Sequence, residues 1–260
     1  MRVALFSDIH GNSIALDAVF KDIDASGGGD HFYILGDLAA IGFDPIGTLQ
    51  RLARLANATF VRGNTDRYLA TGHSPGPTRA ACEANPALWP VRMETASSFA
   101  WSQGAVTAAG WREWLGRLPV EQRFMLPDGT RVLCVHASPG NDDGQGFHPG
   151  LSSATFEHML NEIEADLVCV GHTHWPMDFM VGGMRLVNVG SVSNPFPPDL
   201  RASYVLITAG ESGYRLEHRR VDYDRAAVIS ELQRLNHPGM DYIIRYMRGG
   251  NYSYWMELQK

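Results

Sequence analysis

One pattern recurs five times in this chain: a short apolar run of strand-forming residues ends at a polar turn that carries potential metal ligands. The first run, residues 3–6, ends at Asp8 and His10, and a helical pattern follows it. The later runs end on similar residue types, which brings the set to Asp8, His10, Asp37, Asn64, Asp66, His136, His172 and His174. Ligands bind at the carboxyl ends of the strands in an open α/β sheet, so we expect these side chains to converge.

The chemistry of this set predicts a pair of metal ions. It comprises carboxylates, one amide and imidazoles, and these suit Mn²⁺, Fe, Co²⁺, Ni²⁺ or Zn²⁺ better than a structural zinc or a calcium site. Eight ligands are too many for one ion with open positions, so we expect two divalent ions that share a carboxylate. Two ions about 3.5–4 Å apart hold a bridging hydroxide nucleophile and neutralise charge during phosphoryl displacement. The set therefore predicts a hydrolase of phosphate esters, either a phosphodiesterase or a phosphatase.

Each turn taken alone has an ordinary structural explanation. Loop carboxylates and hydrogen-bonded histidines are common, and two histidines at i and i+2 also occur by chance at strand ends. The metal prediction depends on all five turns occurring in order, each at the end of a strand-like run. The histidines outside these turns are interpreted as structural.

Length and charge narrow the class of protein further. A chain of 260 residues with ordinary hydrophobic content is predicted to form one domain over residues 1–260. The net charge of −6 offers no broad basic surface, so nucleic acid is a disfavoured partner and a small phosphate ester or nucleotide-like substrate is expected. No apolar run approaches the ~18 residues of a membrane span. The first apolar run is interpreted as a strand and not a leader, which predicts a cytoplasmic protein.

Apolar spacing places helices between the strand-like runs. Helices are predicted over 13 to about 25, after Asp44, and over 156 to 163. The segment from 71 to about 119 lacks a strand-like run and is predicted to be a helical, Trp-rich insertion. We expect this insertion and the loop 138–150 to set specificity. Core packing is the simpler explanation for its tryptophans, with a stacking platform for the substrate as the alternative.

The last part of the chain is predicted to contain further strands and a helix. Strand-like runs at 184–189, 203–208 and 214–221 include turns typical of antiparallel pairs, and a last helix is predicted from about 224 to 235. The C-terminal segment, 222–260, ends in an aromatic tail with Tyr242, Tyr246, Tyr252, Tyr254 and Trp255. This tail is predicted to cover a sheet edge, and a contact between two copies of the chain in a homo-oligomer is the alternative.

The turns together resemble a known family. The motifs Asp8-Ile9-His10, Gly36-Asp37, Gly63-Asn64, His136 and 171–174 are similar to those of the calcineurin-like metallophosphoesterase superfamily. The stretches 7–12 and 188–192 resemble its small bacterial and archaeal members. The resemblance implies an α/β fold, assigned to α+β in some schemes. Two central mixed β-sheets would pack face to face, flanked by helices, as a four-layer sandwich.

The resemblance also assigns roles to residues. It implies that a first metal ion is held by Asp8, His10, Asp37 and His174. It implies that a second ion is held by Asp37, Asn64, His136 and His172. Asp37 would bridge the two ions, and Asp37, Asn64 and His136 would be the catalytic residues.

One position departs from the family pattern. Larger members follow Gly-Asn with a histidine that is thought to protonate the leaving group, whereas this chain has Thr65. A threonine hydroxyl is too weak an acid for that role near pH 7. We therefore hypothesise either a preference for good leaving groups or a replacement acid such as His73 or His148.

Two further residues are candidates for binding the substrate phosphate. Asn12 and Arg67 lie just after ligand turns, and helix amides near Asn12 would assist. The structural alternatives are a helix N-cap for Asn12 and a solvated surface charge for Arg67. Both explanations stay open.

Two other functions fit the same resemblance. A nuclease of the superfamily is the closest enzyme alternative, and the acidic balance of the chain disfavours it. A non-catalytic scaffold module on the same fold is the alternative from another class. Such a module would be expected to lose metal ligands, whereas every ligand position matches here.

Overall fold

A computed structural model describes residues 1–73 and 75–250 of the chain. Its strands are β1 (Arg2–Phe6), β2 (His31–Ile34), β3 (Ala58–Phe60), β4 (Glu121–Met125), β5 (Arg131–Val135), β6 (Leu167–Val170), β7 (Met177–Val181), β8 (Met184–Asn188), β9 (Ala202–Gly210) and β10 (Gly213–Val221). They form two mixed five-stranded sheets, in the orders β10-β9-β1-β2-β3 and β4-β5-β6-β8-β7. In the first sheet, β1, β2 and β3 are parallel neighbours, as the alternation of strands and helices predicts.

Helices connect the strands and cover the outer faces. They are α1 (Ser13–Ala25), α2 (Pro45–Leu52), α3 (Asn64–Thr71), α4 (Arg79–Ala84), α5 (Trp89–Ala108), α6 (Arg112–Gly116), α7 (Ser153–Met159), α8 (Arg225–Arg234) and α9 (Met240–Met247), with a short 3₁₀ helix at Pro86–Leu88. The side chain of Asp44 caps α2 by accepting the N–H of Gly47 at 2.9 Å. In the described ranges, none of the helices is long and apolar enough to cross a membrane.

The core lies in layers because β1 is buried on both faces. Val3 and Leu5 face the second sheet and pack in one cluster with Cys134 and Cys169 of β5 and β6. The alternate residues Ala4 and Phe6 point the other way and pack with helix residues that include Leu16, Val19, Leu49 and Leu69. A strand with both faces covered has the continuous apolar sequence seen here. The predicted sandwich of two sheets with helices outside is confirmed.

Several element boundaries differ from the sequence predictions. Strands β4 and β7 were not predicted, because both are edge strands whose exposed Met125 and Met180 obscure the apolar alternation. Helix α7 ends at Met159 and does not continue to 163, since Glu162 adopts a positive φ of 63°.

The end of the described chain contains a helix that the sequence did not predict, because its aromatic residues were interpreted as part of a tail. Helix α9 follows α8, and Ile243 and Met247 form the buried stripe that packs it against α8 and Phe43. Tyr252, Tyr254 and Trp255 lie outside the described residues. The predictions that the tail covers a sheet edge or joins two copies stay predictions.

Candidate metal centre

The turns after five strands bring seven predicted ligands together between the two sheets. Asp8, Asp37 and Asn64 follow the parallel strands of the first sheet, while His136 and His172 follow parallel strands of the second. His10 and His174 lie two residues further along their turns. The carboxyl ends of both sheets therefore meet at one site.

The first group of donor atoms surrounds Asp8. The distance from His174 Nε2 to Asp8 Oδ1 is 3.1 Å, and His10 Nε2 lies 3.8 Å from the same oxygen. His10 Nε2 is also 3.2 Å from His174 Nε2 and 3.7 Å from Asp37 Oδ2. Two imidazoles and two carboxylates thus direct one atom each into a common volume.

The second group surrounds the amide oxygen of Asn64. Asn64 Oδ1 lies 3.1 Å from both His136 Nε2 and His172 Nδ1. His136 Nε2 is 3.5 Å from Asp37 Oδ1, the oxygen that does not face the first group. Each oxygen of Asp37 therefore faces a different group of donors.

Each of the four imidazoles is oriented by a backbone carbonyl. The carbonyls of Ala40, Leu35, Asn194 and Gly144 accept from His10 Nδ1 (2.6 Å), His136 Nδ1 (2.6 Å), His174 Nδ1 (3.0 Å) and His172 Nε2 (2.8 Å). A ring nitrogen that donates to a carbonyl fixes the tautomer, so the opposite nitrogen presents a lone pair to the site. All four lone pairs point inward, as metal ligation requires.

The backbone of the site is held in an uncommon conformation. Five of the seven predicted ligands have a positive φ of 50° to 68°: Asp8, His10, Asp37, His172 and His174. This left-handed region costs free energy for a residue that has a Cβ, and such residues cluster at functional sites. The surrounding tertiary structure therefore holds these five residues in a strained backbone conformation and must offset its cost.

The electrostatics of the site favour a bound cation. Burial alone would raise the pKa of Asp37, but the positive charge that the neighbouring imidazoles carry when protonated, His136 foremost, outweighs burial and lowers the pKa. Asp8 follows the same rule, with His174 lowering its pKa against burial. Asp8 Oδ1 is buried and accepts no hydrogen bond from the described residues. A buried anionic oxygen without a donor is costly, and a divalent ion would compensate it. The donor set therefore fits metal ions.

Comparison with known proteins agrees with this geometry. A family model described as a calcineurin-like phosphoesterase superfamily domain matches residues 1–212. The chain belongs to the calcineurin-like phosphoesterase superfamily. Family membership confirms the resemblance and supports a metal-dependent hydrolase of phosphate esters in general.

Individual relatives match most of the length of this chain. An uncharacterised protein of Methanocaldococcus jannaschii is 27% identical over 241 residues, which cover 85% of this chain and 88% of that protein. A hypothetical protein of Pyrococcus horikoshii superposes with a TM-score of 0.78 at 20% identity, over 96% of this chain and 99% of the other. A metallophosphoesterase of Sphaerobacter thermophilus gives a TM-score of 0.72 at 22% identity over the same shares. Both structures show that the fold is shared.

Asp66 lies behind the predicted ligands, with its carboxylate directed at backbone N–H groups. Its Oδ2 accepts the N–H groups of Asp37 and Gly63, and its Oδ1 accepts the N–H of Leu38, all at 2.9 Å. Burial and the Asp37 carboxylate raise the pKa of Asp66 to about 7. The sequence grouped Asp66 with the potential ligands, because strand-end position alone does not tell a metal ligand from a side chain that supports the turn.

The two predicted phosphate-binding residues have partners within the protein. Asn12 is the N-cap of α1, where its Oδ1 accepts the N–H of Ala15 at 3.0 Å. Arg67 Nε lies 3.0 Å from Asp142 Oδ1, and Arg67 Nη2 lies 2.7 Å from Asp143 Oδ2. The chain thus uses Asn12 to start a helix and Arg67 to tie α3 to the loop after β5. Their contact with a substrate phosphate stays a prediction.

The two replacement acids considered from the sequence have different surroundings. His73 is exposed and packs its ring 4.8 Å from that of Tyr68. His148 is buried, and its Nδ1 accepts the N–H of Gly150 at 3.2 Å. In the described part of the chain, neither histidine lines the cavity beside the ligands. Thr65 does line it.

The tryptophans of the insertion do not line that cavity either, within the residues that the structure describes. Trp111 and Trp114 are partly buried, stack edge to face at 5.4 Å, and pack against the core under the first sheet. Trp101 is also partly buried, with its ring 4.5 Å from that of His237, and Trp89 is exposed. Core packing thus accounts for Trp111 and Trp114.

Proposed function

We propose that the protein hydrolyses small phosphate esters with a dinuclear metal centre, as a phosphodiesterase or a phosphatase. One ion would be held by Asp8, His10, Asp37 and His174, and the other by Asp37, Asn64, His136 and His172. The observation that carries the proposal is the position of Asp37. Its Oδ2 lies 3.7 Å from His10 Nε2 and its Oδ1 lies 3.5 Å from His136 Nε2, so one carboxylate faces both groups.

The donor set indicates the class of ion. Nitrogen and oxygen donors without thiolate suit divalent manganese, iron, cobalt, nickel or zinc. When bound, two such ions supply activated water and neutralise charge on the phosphoryl group. The residues of this chain hold the donors in place, orient each imidazole through a carbonyl, and exclude bulk water from Asp8 and His136, which are fully buried.

A scaffold role is the alternative that the site argues against. Backbone strain at five ligand positions and a buried carboxylate oxygen without a donor are destabilising features. A protein that bound no metal would gain stability by replacing them. Their presence supports a site in which metal binding offsets the cost.

The test is hydrolysis of p-nitrophenyl phosphate and bis-p-nitrophenyl phosphate by metal-free protein reloaded with Mn²⁺, Ni²⁺, Zn²⁺ or Mg²⁺. Metal content per chain is measured in parallel. We expect two ions per chain, metal-dependent turnover, and loss of both in Asp37→Ala. Asp17→Ala is the matched control, because Asp17 is a half-exposed carboxylate that pairs with Arg51 on the surface. The ratio of the two substrates separates phosphatase from phosphodiesterase.

Two results would contradict the proposal. One is stoichiometric metal without turnover of either ester, which would favour a scaffold module. The other is turnover that survives in Asp37→Ala. Cleavage of single-stranded or duplex DNA at a rate above that of bis-p-nitrophenyl phosphate would favour the nuclease alternative.

A further inference from the structure

A cavity of about 420 Å³ opens beside the metal centre, between α3, α5 and α9. At its inner end lie ligands that include His10, Asp37, Asn64, His172 and His174. Its other walls carry mainly apolar and aromatic side chains: Ile41, Tyr68, Val91, Phe99 and Tyr242. Cavities of this size and character, with a few polar groups, are typical of small-molecule sites.

Two buried hydroxyl groups on side chains that line this cavity have no hydrogen-bond partner among the described residues. Ser98 on α5 is 4% exposed and Thr65 on α3 is 7% exposed, and both line the cavity. The two atoms concerned are Oγ of Ser98 and Oγ1 of Thr65, and neither has a hydrogen-bond partner within the described residues. Buried hydroxyls are nearly always hydrogen-bonded, and both oxygen atoms are shielded in this structure, so each side chain would gain a partner by turning its hydroxyl toward a group in the cavity.

Contacts between distant parts of the chain build the cavity wall. Glu94 of α5 accepts the backbone N–H of Tyr242 at 2.9 Å through its Oε1, which joins α5 to the first turn of α9. Gly239, just before α9, approaches Ser98 so closely that a Cβ there would lie 2.7 Å from Ser98 Oγ. The helical insertion and the C-terminal helix therefore enclose the cavity together.

The charge of the lining indicates what kind of group it takes. Arg245 is the one Lys or Arg among the described residues that line the cavity, and Glu94 already accepts a hydrogen bond from α9. Recognition of a polymeric phosphate backbone needs several cations along a groove. An anionic phosphate would go to the metal end, which leaves the apolar end for an uncharged organic group.

We propose that this cavity binds the organic group of the phosphate ester, and that this group is aromatic and of nucleoside size. The inference rests on the proposed function. Tyr68, Phe99 and Tyr242 offer ring surfaces for a flat occupant, and base–aromatic contact is favourable for any such ring. Ser98 would turn its hydroxyl toward a polar atom on the occupant and hydrogen-bond it, so Ser98 and Val91 are specificity residues in this assignment.

The first test compares two non-hydrolysable probes that share a head group. Binding of phenylphosphonate and methylphosphonate to the metal-loaded protein is measured by calorimetry. We expect the phenyl compound to bind at least ~10-fold more tightly, since burial of a ring accounts for a factor of that order. Val91→Trp, which adds a bulky ring at the cavity wall, should reduce the ratio to near one. Met93→Trp is the matched control, because Met93 is similarly exposed on the same helix but does not line the cavity.

The second test concerns Ser98 and uses adenosine 5′-monophosphate as the probe. Ser98→Ala should weaken its binding by about 5–10-fold, the typical effect of one hydrogen bond. Ser102→Ala is the control, since Ser102 lies one turn further along α5, is buried, and has an unpartnered hydroxyl in the described structure, but lies outside the lining. Equal effects of both variants would overturn the role of Ser98.

The outcomes separate this inference from the proposed function. Turnover of p-nitrophenyl phosphate together with equal binding of the two phosphonates, unchanged in Val91→Trp, would overturn the cavity assignment alone. Absence of both turnover and phosphonate binding in protein that holds its metal would overturn the proposed function as well. A Val91→Trp protein that loses thermal stability is replaced by Thr95→Leu, which changes the same wall.

Discussion

The carboxylate of Asp66 accepts the backbone N–H of Asp37 at 2.9 Å, so a residue of α3 holds the turn that presents the shared ligand. The same carboxylate also accepts the N–H groups of Gly63 and Leu38. Asp66 thereby ties the turns after β2 and β3 together. This buried side chain and the hydrogen bond from the N–H of Thr65 to Asp37 Oδ1 at 2.9 Å together set the relative position of Asp37 and Asn64.

We predict that Asp66→Asn impairs metal binding, although the side chain at position 66 does not itself bind the metal. An asparagine keeps one acceptor oxygen, but its NH₂ group would face a backbone N–H, so one of the three bonds is lost. We expect metal affinity or kcat to fall about 10–100-fold, the range for side chains that orient ligands. Metal titration followed by calorimetry measures the effect.

The control for this variant is Asp44→Asn. Asp44 caps α2, and asparagine is an equally good N-cap, so the change should leave metal affinity and stability near those of the wild type. Wild-type metal affinity in Asp66→Asn would show that the turns hold their shape without the third hydrogen bond.

We predict that Gly63→Ala disrupts the site by steric overlap. A Cβ at position 63 would lie 2.1 Å from Asp37 Oδ1 and 2.3 Å from Asp37 N, so the shared ligand must move. We expect loss of most metal-dependent activity and of at least one bound ion per chain. Metal analysis and turnover of p-nitrophenyl phosphate measure both.

Gly104→Ala is the matched comparison for that substitution. Gly104 lies within α5, and an added Cβ there meets no atom within 4 Å. Alanine is favoured over glycine in a helix, so the variant should keep its activity and gain about 0.5–1 kcal/mol in the free energy of unfolding. Similar metal losses in the two variants would refute the steric explanation.

We predict that His237 makes the protein less stable in mild acid. Burial lowers the pKa of His237 to about 4 in the folded protein, whereas an unfolded histidine titrates near 6.5. Between these values the unfolded chain binds a proton that the folded chain does not. The free energy of unfolding therefore falls as the pH drops from 7.5 to 5, by on the order of 2 kcal/mol from this group. The stabilisation that comes from keeping His237 neutral is fully present only above the pKa of the unfolded histidine, near 6.5.

Comparison with His237→Asn isolates this contribution from that of the histidines at the candidate metal centre. Asparagine keeps an acceptor for the N–H of Gly239, which His237 Nδ1 accepts at 3.1 Å, but it does not titrate. Denaturant unfolding at both pH values should show a smaller pH dependence in the variant. The same slope in both proteins would mean that His237 is not the group responsible.

We predict a steep dependence of rate on the leaving group. Thr65 stands where larger members of the family have a histidine, and its hydroxyl does not protonate a leaving group near pH 7. Among aryl phosphates, kcat should therefore fall several-fold for each unit of leaving-group pKa. Thr65→His should make this dependence shallower, and a flat dependence in the wild type would reveal another acid.

The sequence by itself predicted which residues converge at the candidate metal centre and determined their order along the chain. Asp8, Asp37, Asn64, His136 and His172 each follow a strand-like run, and all these runs are strands in the structure. Such short apolar runs between helices have few alternatives to parallel strands, and parallel strands bring their carboxyl ends to one edge. Local pattern and topology thus point to the same site.

Only the tertiary structure decided how the supporting residues act. The sequence could not separate Asp66 from the other candidate ligands, because the direction of a side chain at a turn depends on which N–H groups lie opposite. Nor could it place Glu94 against Tyr242, which is 148 residues away. Packing of α5 against α9 brings these residues together, and no local periodicity encodes that contact. The cavity beside the metal centre exists because of it.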